Sequence, residues 1–390
     1  GGTATFGNIE LDDSQGATWT GTGTSTVSGN LTITLGTMTL NNFTTALTVN
    51  GNTDITGVLQ ISSVTGAKNF GNVTINISGE WNATVAEAVT ISGNFQNDGV
   101  LTASTGVYTM SGAGKSIGGA NDIIIPSLTI SGTCTNNGNL IVATALAGAG
   151  TLTQATNSFL TLGGTSAITT LTTTSNPNTI TYNSTTGAQT VKGTTYHHLI
   201  CENNGQIATL GGNTTVNGDL TVTSGTFRLA GLNLQVSGLT SVSGILQDNN
   251  AIGSNQLNDV IINTGGLLDN TAAAPYTISG NLQNNGAVTA GTGIFTFNGN
   301  GKTITGTITI PNVTITGAYL NNGLFTVSTA LSGSGVLNQG VGATLYIGGT
   351  ITITTLNATA SGNTVGYTSS VANQNVLAST YRNLSIDKAG

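Results

Sequence analysis

Short apolar alternations run along the whole chain, as in Leu31-Thr-Ile33-Thr-Leu35 near one end and Ile351-Thr-Ile353-Thr near the other. A period of two places successive side chains on opposite faces of a strand. The runs last about four to six residues, the ordinary length of a strand. Between them stand Gly-Asn, Asn-Gly and Asn-Asn-Gly steps, residue types that tolerate the left-handed backbone of tight corners. Gly-Asn or Gly-Asp followed by an apolar alternation opens at Gly29, Gly51, Gly71, Gly93, Gly218 and Gly280, and Gly138-Asn139 opens another run. A strand, a corner and another strand, returning every 20–25 residues or so, describe one rung of a solenoid. The pattern therefore predicts an all-β chain folded as a single-stranded parallel β-helix, right-handed, with Val, Ile, Leu and Phe pointing inward and Thr, Ser and Asn outward. A β-sandwich, whose turns recur about every 8–12 residues, is the main rival.

A longer period overlies the short one. Residues 89–106 read VTISGNFQNDGVLTASTG, and residues 276–293 read YTISGNLQNNGAVTAGTG. Lys115 pairs with Lys302 in the same register, and a two-residue loss then aligns Asn136 with Asn321 and Tyr182 with Tyr367. The start of the unit occurs three times, at Phe6, Tyr196 and Tyr381. The chain thus reads as a first long unit over 6–195, a second over 196–380 and the start of a third over 381–390, in one continuous rod. The small length differences fall at corners, where one rung tolerates a longer turn without disturbing the next.

Composition sharpens this picture. Only 21 of 390 residues are charged and 57 are glycine, while strong helix formers are scarce. Low charge suits stacked rungs, where like side chains sit above one another and repeated charges would repel. The net charge of −7 argues against a nucleic-acid partner, which calls for a basic face. No apolar run approaches the length of a membrane-spanning helix, so no membrane insertion is expected. Two cysteines, Cys134 and Cys201, form no disulfide framework. A low-charge chain rich in Thr, Asn and Gly fits an extracellular setting.

Candidate chemistry is sparse, and each candidate carries a plain alternative. The acids occur singly apart from Glu10, Asp12 and Asp13, whereas glycosidic chemistry needs two carboxyls about 5–10 Å apart. Asp12, Glu202 and Asp387 occupy equivalent places and read as a solvated corner. His197-His198 could ligate a metal, but adjacent strand residues point to opposite faces, so the pair reads as a surface feature. Cys134 and Cys201 read as small apolar fillers. The recurring aromatics Tyr182/Tyr367, Tyr108/Phe295 and Phe6/Tyr196/Tyr381 read as core, as does Trp81, matched by Leu268. Thr-x-Thr steps at Thr32/Thr34, Thr179/Thr181, Thr303/Thr305 and Thr307/Thr309 invite an ice-binding reading, but their irregular spacing scatters them over different faces. Sequons at Asn30, Asn72 and Asn213 permit glycosylation. No catalytic, cofactor-binding or metal site is expected, and no cofactor.

The aromatic-x-Asn-Leu-x-Ile start (381–386), with the run GGNTTVNGDLTVTSGTF over 211–227, resembles repeats of very large secreted surface proteins of Bacteroidetes-type bacteria and similar adhesins. In that family such arrays precede a C-terminal sorting domain. The resemblance implies surface export, adhesion or filament formation, and no cofactor. The expected function is a stiff, protease-resistant structural repeat at the cell surface; a carbohydrate-active β-helix enzyme or a carbohydrate- or ice-binding surface is the alternative. The in-phase ends, without a polar or helical cap, point to further copies of the repeat as partners, in a longer chain or by end-to-end stacking.

Overall fold

The computed structural model describes residues 3–20, 23–41, 46–63, 65–369 and 373–387. Every element among these residues is a β-strand, and the strand pairings are parallel. Residues 1–184 and 185–390 form two compact units. Both are β-solenoids, with about 19 turns between them.

One turn has three strands. In the first unit, Ser25–Val27, Leu31–Leu35 and Thr37–Leu40 make a turn. Each pairs with its counterpart one turn on, so that Thr26 lies opposite Thr48, Thr32 opposite Asp54 and Thr39 opposite Gln60. In the second unit, Tyr276–Ile278, Leu282–Asn284 and Ala287–Ala290 pair back in the same way, with Thr277 on Gln256, Gln283 on Ile261 and Val288 on Leu268. Three stacks of strands give each solenoid three faces, named first, second and third in this order.

Turns on the first face run from eighteen residues, between Thr314 and Ser332, to twenty-two, between Thr26 and Thr48. That is shorter than the anticipated rung of about 20–25, because several corners need no loop. The sixteen-residue strand Leu324–Gln339 passes through all three faces, with Gly333 at positive φ where the first gives way to the second.

Alternation decides what is buried. On the first face of the first unit, Val27, Val49, Phe70, Ile91, Met110 and Ile130 stack inward, none more than 2% exposed. Each buried side chain of this kind contributes about 1.5–3 kcal/mol. The β-branched and aromatic residues that favour strands thus also fill the narrow interior.

The long repeat is visible in the packing. Trp81 and Leu268 both point inward from the third face and are fully buried. Tyr108 and Phe295 are buried on the first face, and Tyr182 and Tyr367 on the third. The closest correspondence is polar. Asn136 Nδ2 donates to Gln154 Oε1 (2.8 Å) and to the Phe159 carbonyl (2.8 Å), while its Oδ1 accepts from Gly138 N–H (3.1 Å). Asn321 repeats all three bonds, to Gln339 (2.8 Å), Thr344 (3.0 Å) and Gly323 (3.1 Å).

One group of aromatics departs from the expectation of a common core position. Tyr196 is fully buried, but Phe6 is 38% exposed and Tyr381 is half-buried. Phe6 belongs to a strand paired on one side only and lies edge-on to Trp19 at 5.7 Å. Tyr381 joins the sheet through a single bridge to Ala358 and shares a hydroxyl hydrogen bond with Tyr367 (2.9 Å).

Candidate functional site: asparagine corners and a threonine column

The Gly-Asn steps at Gly7, Gly29, Gly51, Gly71 and Gly93 sit where the first face turns into the second, whereas Gly138-Asn139 joins the second face to the third. The side-chain oxygen of each asparagine accepts a hydrogen bond from the residue one turn on. Asn8 Oδ1 takes Asn30 N–H (2.8 Å), Asn30 takes Asn52 (2.9 Å), Asn72 takes Asn94 (2.8 Å) and Asn94 takes Ser116 (3.0 Å). Asn52 Oδ1 accepts instead from Asn72 Nδ2 (2.9 Å). The second unit uses the same corner with other acceptors. Asp219 accepts from Leu239 N–H (2.8 Å), Asp259 from Asn281 (2.7 Å) and Asn281 from Thr303 (2.9 Å).

The glycine before each asparagine has a steric role, not the conformational one its residue type suggested. None of Gly29, Gly51 and Gly93 has a positive φ. A Cβ at any of the three would run into the ladder oxygen of the preceding turn, from Asn8, Asn30 and Asn72 respectively. Gly238 and Gly280 stand in the same relation to Asp219 and Asp259. Where a glycine stands at this corner, it leaves room for the acceptor atom of the turn before.

Outward from the first face runs a second ladder, one residue per turn. In the first unit it comprises Thr5, Thr26, Thr48, Asn69, Thr90, Thr109 and Thr129. In the second it runs from Thr195 and Thr215 through Gln235 and Gln256 to Thr277, Thr296 and Thr314. The rungs are about 4.8 Å apart. The Thr-x-Thr steps singled out in the sequence do not build this column. Thr32 and Thr303 lie on the second face, Thr179 and Thr307 on the third.

No family model, curated protein or solved structure matches the chain. Its chemistry is therefore read from its own residues.

Asp12, Glu202 and Asp387 are exposed, and the first two mark the same irregularity: the strand register shifts directly after Leu11 and after Cys201. Cys134 and Cys201 are buried, and burial pushes the Cys134 thiol up to about 12 and raises that of Cys201. Buried thiols of this kind are poor nucleophiles.

The histidines do not point to opposite faces. His197 lies in a bend between two strands, and its ring packs edge-on against that of His198, centroids 4.2 Å apart. His198 fills the place of Asn8 in the corner ladder. Its Nδ1 accepts Asp219 N–H (3.0 Å), with the Asp219 carboxylate at 3.6 Å. Burial, and then the neighbouring His198, lower the pKa of His197, against an opposing pull from Asp219. Among the described residues no three His, Cys, Asp or Glu side chains come together as a metal-holding group.

The sequon asparagines are ladder members. Asn30, Asn72 and Asn213 each accept a backbone N–H from the next turn, and Asn72 also donates its amide to Asn52.

Two buried ionisable sites escaped the sequence reading. Lys68 points inward on the first face, its Nζ 3.5 Å from Glu87 Oε1 and bonded to the carbonyls of Thr65 (3.1 Å) and Gly66 (2.6 Å). Burial lowers the lysine pKa and raises that of the glutamate. Asp248 is buried on the third face and accepts from Asn255 Nδ2 (2.7 Å); burial raises its carboxyl pKa. Lys68 sits in phase with inward Leu47 and Val89, a signal that was present in the sequence.

Proposed function

We propose that the chain is an extracellular structural repeat region of a bacterial surface adhesin or filament, non-catalytic, with further copies of the same repeat as its partners. Each unit acts as a stiff, protease-resistant element. The observation that carries this reading is the doubling of the backbone ladder by side chains. At the corners, where a solenoid leaves N–H groups unpaired, an Asn or Asp oxygen of the previous turn supplies the acceptor, and the Asn136 and Asn321 networks tie the interior in both copies. Unpaired backbone is what lets a protease seat a chain in extended form, so closing it along this corner favours resistance. Few charges face outward, which suits long stacks of like residues.

Two experiments test the reading. Antibody raised against the purified chain should label intact cells of the source organism; label found only after lysis contradicts surface display. Incubation with proteinase K should leave long fragments spanning many turns; cleavage inside the coils at the rate of a urea-unfolded sample contradicts the mechanical role. The same preparation, screened against a panel of polysaccharides, should give no turnover. Cleavage abolished by one Asp or Glu substitution would establish an enzyme instead.

A further inference from the structure

The outward side of the first face carries two cavities in the second unit. One, of about 430 Å³, is lined by Asn213, Thr215, Asn233, Gln235 and Gln256, among others. The other, of about 350 Å³, shares Gln235 and Gln256 and continues along Ser237, Asn258, Thr277 and Ser279. The two form one groove running across successive turns. No ionisable side chain lines either cavity, in a chain of net charge −7.

Gln235 and Gln256 are placed differently from several other glutamines of the strands, although Gln206 is, like them, unbonded among the described residues. Gln60 accepts from Thr39, Gln247 bonds Arg228 and Asp269, and Gln283 donates to Asn285. Gln235 and Gln256 are exposed, lie on adjacent rungs and make no side-chain hydrogen bond among the described residues. Each presents two free donors and a free acceptor to the groove.

The first unit lacks this arrangement. At the equivalent positions it has Thr48 and Asn69 where the second has Gln235 and Gln256, and Ala46 and Ala67 where the second has Asn233 and Ser254. The two copies share most core positions and the corner between the first and second faces, yet differ here by four larger or more polar residues on one face. Asn233 accepts Ser254 N–H (2.9 Å) and so serves its own turn, whereas the smaller Thr48 and Asn69 serve in the first unit where the second has Gln235 and Gln256.

We infer that this groove binds a neutral polysaccharide chain, with the Gln235 and Gln256 amides as its principal contacts. An uncharged lining matches an uncharged ligand. Paired donors and acceptors match sugar hydroxyls, each of which both gives and takes a hydrogen bond. Rungs repeating about every 4.8 Å suit a ligand that repeats its own hydroxyls. The inference does not depend on the structural role proposed above: a surface-displayed repeat could lack glycan affinity, and a glycan binder could act elsewhere.

Affinity electrophoresis tests it, with gels containing hydroxyethyl cellulose, dextran, galactomannan or, as the anionic comparison, polygalacturonate. At least one neutral polymer should retard the intact chain. Gln235→Ala with Gln256→Ala should weaken that retardation at least tenfold, with the thermal midpoint unchanged. Thr48→Ala with Asn69→Ala, at the matching places of the first unit, should leave it intact. Retardation by polygalacturonate alone, by no polymer, or by a neutral polymer undiminished in the glutamine double variant would overturn the inference.

Discussion

At the scale of single residues, the corner ladder couples two positions one turn apart, and its two members should respond differently to alanine. Asn30→Ala removes the acceptor for Asn52 N–H at an exposed corner, where water can take over. The expected cost is about 1 kcal/mol. Gly51→Ala forces a methyl group against both Asn30 Oδ1 and the Gly29 carbonyl, and the backbone oxygen cannot swing away. The expected cost is about 2–3 kcal/mol, as for other overpacked sites. Adding Asn30→Ala to Gly51→Ala should recover little, because Gly29 remains in the way. Urea unfolding of the three variants measures this order; an equal cost for both single changes would mean that the glycine is not sterically required. The Lys68–Glu87 pair gives a sharper contrast. Glu87→Ala leaves a buried ammonium without its carboxylate and should cost about 3–5 kcal/mol. The second copy carries Asn255 and Ala274 at these places, so Lys68→Asn with Glu87→Ala should be the milder change.

At the scale of strands and turns, much of the architecture was legible because it rests on short-range rules. Alternation decides which residues face inward, and the repeat pairs Trp81 with Leu268 and Tyr108 with Phe295, all four of them buried. The column of threonines was not legible, for a definite reason. Turns of the first face vary from eighteen to twenty-two residues, so residues stacked in space share no constant spacing in sequence. The groove of Gln235 and Gln256 was hidden likewise, and so was the contact between the two histidine rings, since strand alternation fails at a bend. The repeat makes its own prediction at this scale. Asn321→Ala strands Gln339 Oε1 and the Gly323 N–H and should cost about 3 kcal/mol, whereas Asn136→Ala leaves Gln154 Oε1 its Ser158 hydroxyl donor (3.3 Å) and should cost about 2 kcal/mol. Hydrogen exchange should show faster opening of the turns around the substituted residue in either copy. A large effect in one and none in the other would mean that the two networks, alike in geometry, differ in energy.

At the scale of the whole molecule, the few ionisable groups set an unusual response to acid. Acid denaturation ordinarily arises because carboxylates that are paired in the native state hold lowered pKa values and resist protonation. Here the shifted carboxyls move the other way: burial raises Asp54, Glu87 and Asp248 above their ordinary values. A group whose native pKa lies above its unfolded one binds its proton more tightly when folded. Its contribution is fully present below the unfolded pKa and is lost as pH rises through the native one. Lowering the pH from 7.5 to 4.5 should therefore strengthen the fold. Net charge falls towards zero over the same range, since the isoelectric point is about 4.4, and self-repulsion relaxes with it. His197 opposes the trend, because its lowered pKa means stability lost as pH falls through that value. Lys68, whose pKa burial also lowers, acts in the same sense as His197, so two groups oppose three carboxyls that the relaxing net charge assists. The thermal midpoint at pH 4.5 is thus expected to equal or exceed that at pH 7.5. Asp248→Asn tests the cause: it keeps an acceptor for Asn255, gives up the longer bond from Asn250 N–H (3.3 Å) and removes the buried carboxyl, so it should flatten the dependence on pH. A midpoint that falls on acidification, or a slope unchanged by Asp248→Asn, would place the control of stability in groups other than these buried acids.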